Sequence, residues 1–172
     1  MAEEGEIDWP ALRIICINNE QSFRHLISSM LRDLGVGSTP IAKNGDDGYY
    51  EIESSSVDMV ILDSVLDGAD GLDFVRKLRH PDTTPAPYIP VIMTSTERSL
   101  DVVTHAIKQG VDHYMVKPIA QKDLGISIKN MLTKPPLKIK TETYIGPCRR
   151  RLPQRVYGHY EGPNRRGEED KE

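Results

Sequence analysis

Short apolar runs alternate with helical patterns along most of this 172-residue chain, and that alternation restricts the fold more than any other feature. Leu12 to Ile17 is a run with β-branched residues that reads as a buried strand. Behind it, Phe23, Leu26, Ile27, Met30, Leu31 and Leu34 recur at the spacing of one helix face, and Gly35 stands where a C-terminal cap belongs. A weaker strand near Ser38 to Ala42 leads through Asn44-Gly45 into a helix from Asp46 to Ser54. Met59 to Leu62 is wholly apolar and belongs at the centre of a sheet. Gly71 to Arg79 reads as a helix with Leu72, Val75 and Leu78 inward, stopped by Pro81. Four prolines between Pro81 and Pro90 make that stretch a stiff loop. Val91 to Thr94, Ser99 to Gln109 closed by Gly110, Asp112 to Val116 and Gln121 to Leu132 continue as strand, helix, strand, helix. Five strands alternating with five helices predict an α/β fold with a doubly wound, five-stranded parallel sheet.

In such a sheet the residues just past the strands' C-terminal ends converge on one crevice. Here they are Asn18 and Asn19, Asp63, Ser95 and Lys117. A carboxylate can accept a phosphoryl group as an acyl phosphate, and an ammonium and a hydroxyl beside it can hold the phosphoryl oxygens. A plain strand-end ion pair between Asp63 and Lys117 is the alternative.

The segments Asp58 to Asp63, Asp70-Gly71-Leu72, Pro90 to Met93 and Gly110 to Pro118 resemble, in order and spacing, the CheY-like receiver family, which has a flavodoxin-like fold. The resemblance covers residues 11–133, between a lead over residues 1–10 and a tail over 134–172. It implies that Asp63 is the phosphate acceptor and that Lys117 pairs with the phosphoryl group. It also implies that Ser95 senses that group and that Tyr114 is the aromatic switch. Receivers usually carry two acidic residues after the first strand to hold a divalent cation; this chain has Asn18 and Asn19, followed by Glu20. Two formal charges are lost there, so magnesium binding is expected to be weak or absent, no other metal is expected, and phosphorylation of Asp63 is expected to be poor.

Charge divides along the chain. Residues 134–172 carry 10 Lys and Arg against 6 Asp and Glu, while the rest carries 12 against 20, an acidic body with a basic tail. Cys16 and Cys148 stand far apart without further thiols, which excludes a disulfide framework and fits a reducing cytoplasm. No apolar run suits a membrane span, and the acidic start is no signal peptide, so a soluble cytoplasmic protein is expected.

The tail contains a repeat. Tyr144-Ile-Gly146-Pro147-Cys-Arg149-Arg150 returns as Tyr160-Glu-Gly162-Pro163-Asn-Arg165-Arg166, with five of seven positions identical at a register of sixteen. Arg151 and Arg155 complete six arginines between residues 144 and 167, with no lysine and Glu161 as the only acid. Guanidinium stacks on bases, forks onto phosphate and pairs with the O6/N7 edge of guanine, which lysine cannot do. Gly-Pro before each pair predicts a bend, and tyrosine adds a stacking face. A doubled motif suits a two-fold ligand such as cyclic di-GMP. The tail resembles the arginine-rich extension of the CheY-like cyclic di-GMP effectors (Cle proteins) of alphaproteobacteria, although Cys148 and Asn164 stand where an acid is expected. That resemblance implies dinucleotide binding and signalling to the flagellar motor switch. The expectation is therefore a non-enzymatic adaptor without membrane insertion. A phosphorelay regulator acting through Asp63 and a basic-tailed nucleic-acid binder are the alternatives, the latter the weaker. With few apolar residues after Pro135-Pro136, the tail is expected to be mobile without ligand, and every strand and helix to lie before Thr133.

Overall fold

The computed structural model describes residues 6–148. The chain runs β1 (Ile14–Ile17), α1 (Gln21–Asp33), β2 (Ile41–Ala42), α2 (Gly45–Ser54), β3 (Met59–Asp63), a small hairpin of β4 (Val65–Leu66) and β5 (Ala69–Asp70), and α3 (Gly71–Arg79). It continues with β6 (Val91–Ser95), α4 (Leu100–Gln109), β7 (His113–Val116), α5 (Gln121–Thr133), β8 (Lys138–Lys140) and β9 (Ile145–Pro147). The main sheet has the order β2-β1-β3-β6-β7 with every pairing parallel: the doubly wound sheet that the alternation predicts, in the flavodoxin-like order that the family resemblance implies.

Strand alternation divides the core. Ile15 and Ile17 of β1 pack with Val60, Leu62, Leu72, Val75, Leu78 and Val103, under α2, α3 and α4. Ile14 and Cys16 point to the other face and meet Ile27, Leu31, Leu124 and Ile128 from α1 and α5. Helix starts are fixed by side chains: Asn44, Asp70 and Ser99 accept from the backbone N–H groups of Asp47, Leu72 and Val102. Leu26 departs from the expected face of α1. Only Ile27, Ser28 and Leu31 of that helix are buried, and Leu26 is 48% exposed, because the seam to the sheet is narrower than the apolar stripe. Among the described residues no helix is long and apolar enough to cross a membrane.

The largest correction concerns the start of the tail. Strands are present after Thr133: β8 and β9 form an antiparallel hairpin pairing Lys138 with Pro147, Ile139 with Gly146 and Lys140 with Ile145. Tyr144 is 2% exposed and Ile145 7%, so this part of the tail is packed on the domain rather than loose. Gly146 and Pro147 lie in the strand β9, not in the bend read from the dipeptide, since the ladder to β8 holds them extended. The rest of the tail, from Arg149 on, falls outside the described residues, and so does the expectation of mobility for it.

What the hairpin packs on was invisible as apolar pattern. Arg79, at the end of α3, has no exposure. Its guanidinium donates to the carbonyls of Gly110 (3.1 Å), Pro87 (2.8 Å) and Ile89 (2.8 Å) and to Asp112 Oδ2 (2.7 Å). Asp112 also accepts from the Val91 N–H (2.9 Å) and, on Oδ1, from Lys138 Nζ of the hairpin (2.9 Å). Burial works against the charged guanidinium, and the Asp112 carboxylate beside it opposes that. Gly110 adopts φ +108° to close α4, and a Cβ there would stand 2.9 Å from both Arg79 Cγ and the Tyr144 hydroxyl.

Burial of Tyr144 and Ile145 gives a test by truncation. Losing the burial of two large side chains costs about 3 kcal/mol or more, and a chain of this size loses about 2–4 °C of melting temperature per kcal/mol. The chain cut after Lys134 should therefore melt at least about 6 °C below the chain cut after Cys148, by thermal circular dichroism. Equal melting temperatures would show that the hairpin adds nothing to the domain.

Candidate functional site

Parallel strands deliver their ends to one place, and four of the expected residues meet there. Asp63 closes β3, Ser95 closes β6, Asn18 follows β1 directly and Lys117 follows β7 directly. Lys117 Nζ and the Asn18 side-chain amide both donate to Asp63 Oδ2, and the Val65 N–H donates to Oδ1 at 3.0 Å. Asp63 is 7% exposed, so its charge is held by these three donors rather than by bulk water. Lys117 Nζ also lies 4.2 Å from the centroid of the Phe23 ring, which fixes the ammonium from its other side.

The hydroxyl partners form a second layer. Ser95 is buried, and its Oγ accepts from Ser64 Oγ (2.9 Å) and from the Glu97 N–H (3.1 Å). Tyr114 is not in the pocket. It lies inside the core under α4, and its hydroxyl donates to the Glu97 carbonyl at 3.0 Å. Ser95 and Tyr114 thus hold the same short segment after β6, one through the N–H of Glu97 and the other through its carbonyl. That link was not legible in sequence. Ser64, Phe23 and Arg24 were missed as site residues: Phe23 reads as core, and Ser64 and Arg24 carry no pattern of their own.

Asn18 and Asn19 behave differently from each other. Asn19 is exposed, as is Glu20, whose carboxylate accepts from Ser22 Oγ. Asn18 is 1% exposed, its Oδ1 accepts from the Glu20 N–H at 2.7 Å, and its carbonyl accepts from Arg24 Nη1 at 2.6 Å. With the amide oxygen used on Glu20, the face of Asn18 toward Asp63 is N–H, which cannot ligate a cation. Among the described residues no three His, Cys, Asp or Glu side chains gather as a metal site would need. One carboxylate, already holding two donors on one oxygen, offers a magnesium ion less ligand charge than the usual acidic cluster would. The arrangement can bind and orient an anion beside Lys117 and can offer Asp63 as a nucleophile.

Cys16 lies two residues before Asn18. Burial pushes its thiol up to about 12, with Asp63 adding to that and Arg24 and Lys117 opposing. It is a packing residue, not a nucleophile.

The remaining predicted residues divide in two. Tyr144, Gly146 and Pro147 lie at the other end of the sheet, on the side of Asp112, and are buried in the domain. Arg149, Arg150, Arg151, Arg155, Tyr160, Gly162, Pro163, Arg165 and Arg166 lie outside the described residues.

Comparison with known proteins agrees with this geometry. The family described as the response regulator receiver domain matches residues 14–129, more than half of the chain. The chemotaxis protein CheY of Pseudomonas aeruginosa is 27% identical over 123 residues, covering 72% of this chain and 98% of that protein. Chemotaxis protein CheY-3 of Vibrio cholerae is 26% identical over 113 residues, 66% of this chain and 85% of that one. In fold, the chain resembles the receiver domain of the Francisella response regulator 1452 (TM-score 0.63, 23% identity, 72% of this chain and 97% of that one). The chemotaxis response regulator CheY4 of Vibrio cholerae is similar to the same degree (TM-score 0.63, 21% identity, 69% and 97%).

Small phosphodonors should label Asp63 poorly even at high magnesium, and the double substitution Asn18→Asp with Asn19→Asp should raise magnesium affinity, read by tryptophan fluorescence or calorimetry. Efficient magnesium-dependent labelling of the unaltered chain would contradict the donor geometry of Asn18. For the thiols, a group at about 12 stays protonated throughout the neutral range. Cys16 should therefore resist a thiol reagent at pH 8 until the protein is denatured, while the half-buried Cys148 reacts in the folded state; rapid native labelling of Cys16 would show that the core opens.

Proposed function

Because the chain belongs to the response regulator receiver family, we propose that it is a signalling adaptor in which nucleotide binding by the arginine-rich tail takes over the part that phosphorylation usually plays. The ligand proposed is cyclic di-GMP, and the output is a protein partner, with the flagellar motor switch as the candidate. The chain performs no catalysis of its own in this reading, and it works in the cytoplasm. The carrying observation is the doubled Tyr-x-Gly-Pro-x-Arg-Arg motif, with six arginines and no lysine between residues 144 and 167. Two guanidinium pairs match a ligand with two guanines and two phosphates. The N–H that Asn18 turns toward Asp63 supports the same reading, since it weakens the competing phosphoryl chemistry. Two relatives bear the name chemotaxis protein, which fits a motor partner.

A second reading keeps a specific observation: Lys117 and Asp63 are paired as a phosphorylation site would have them, which favours a phosphorelay regulator with the tail as a tether. A nucleic-acid binder would use the same arginines for charge alone and would show steep salt dependence with little preference for guanine.

Replacing Arg149 and Arg150, or Arg165 and Arg166, by Lys keeps charge but removes the planar fork. Each good bidentate guanine contact is worth roughly 1–3 kcal/mol, so either double substitution should weaken cyclic di-GMP binding at least about tenfold in titration calorimetry. Undiminished binding by the Lys variants would sink the guanine-reading tail, and absence of binding by the unaltered chain would sink the ligand.

A further inference from the structure

The two repeats share five residues, and the structure assigns the first of them a job that the second is not built to do. We propose that Tyr144–Pro147 is a docking element rather than a ligand contact: it is seated on Arg79, Gly110 and Asp112 and fixes the chain just ahead of Arg149 and Arg150 in sequence. This rests on the reading of the tail as a nucleotide-binding segment, and it changes which of the tail's residues meet the nucleotide.

The three non-arginine identities of the repeat close on one another. The Tyr144 hydroxyl donates to the Pro147 carbonyl at 2.7 Å, with Gly146 between them. A Cβ at Gly146 would stand 2.8 Å from that hydroxyl, 2.7 Å from Arg79 Cδ and 3.0 Å from Arg79 Nε. Glycine is required there for close approach, since the strand is extended and Arg79 is locked by four acceptors. Tyr, Gly and Pro at these spacings are thus accounted for by internal geometry, without a ligand. The seat is part of the receiver: a Cβ at Gly110 would stand 3.2 Å from Tyr144 Cε2, and Asp112 ties the paired strand β8 through Lys138.

The variable position decides which repeat can use the seat. Ile145 is 7% exposed. Its counterpart in the second repeat is Glu161, and burying a carboxylate without a partner is far costlier than burying isoleucine. The second repeat is therefore the one that remains available as a whole motif, and the first contributes chiefly its arginines. The last described link is the Cys148 N–H to the Leu137 carbonyl at 2.7 Å, and Arg149 is the next residue in the chain. A fixed departure point spares the ligand part of the cost of ordering the first arginine pair.

The test uses the full chain, and its main variant alters the seat from the receiver side, outside the tail sequence. Gly110→Ala is the main variant. Tyr144→Phe is the mild one; it keeps the ring and removes the hydroxyl that bonds Pro147. Hydrogen exchange at the Thr141 and Cys148 amides, both bonded within the hairpin at 2.8 and 2.7 Å, should be slow in the unaltered chain and faster in both variants without any ligand. Gly162→Ala in the second repeat should leave that exchange as it was. Cyclic di-GMP should bind Gly110→Ala roughly tenfold more weakly, although all six arginines are kept. Unchanged exchange in both seat variants overturns the docking element. Faster exchange with equal or tighter binding overturns its positioning role and shows that the seat competes with the nucleotide. If the unaltered chain binds no cyclic di-GMP, the ligand reading falls, while the exchange measurement still decides whether the first repeat is docked.

Discussion

A guanidinium without exposure to water can persist only if every hydrogen it carries toward the interior finds an acceptor, and around Arg79 the fold supplies them. The acceptors come from the loop between α3 and β6 and from the short link between α4 and β7, so one side chain joins two connections at the strands' N-terminal ends. Removing Asp112 would leave a buried charge uncompensated, which is why the pair is a constraint on its neighbours rather than a modest stabilising contact. The hairpin completes it: Lys138 takes the remaining carboxylate oxygen, and Gly146 lies close against Arg79 Cδ and Nε beside the Tyr144 hydroxyl.

At the opposite ends of the same strands the logic is inverted. There a carboxylate is buried and the donors come to it, from Lys117, Asn18 and a backbone N–H. Asn18 is the residue that distinguishes this pocket. Its amide oxygen accepts from the Glu20 N–H and its nitrogen donates to Asp63, so a position that in other receivers offers a negative oxygen to a cation here offers a hydrogen-bond donor to the neighbouring acid. The pocket is internally satisfied, and that is a state in which added charge from a phosphoryl group or a cation must displace existing bonds.

Much of the sheet was legible because a buried parallel strand has a distinctive composition, and Gly71 to Arg79 was legible to the residue because a glycine-led helix with an apolar triplet ends at a proline loop. The pocket followed from topology, since strand ends converge whatever their sequence. What was not legible shares a cause. The hairpin after Thr133 has few apolar side chains, and its seat is made of Arg79, Asp112 and a glycine, which in sequence read as surface. Hydrophobic pattern cannot reveal an interface built on a buried ion pair. The use of Asn18 was hidden for a related reason, because which end of an amide faces the acid depends on a backbone N–H two residues away.

Strand β7 connects the two ends of the molecule. Asp112 immediately precedes it and Lys117 immediately follows it, with Tyr114 in between. Four strand residues span about 13 Å, and an extended chain in a parallel sheet is stiff along its length. The residue paired with Arg79 and the residue paired with Asp63 are therefore carried at the two ends of one short strand. A single four-residue strand thus spaces a buried cation's partner from a buried acid's partner by little more than its own length.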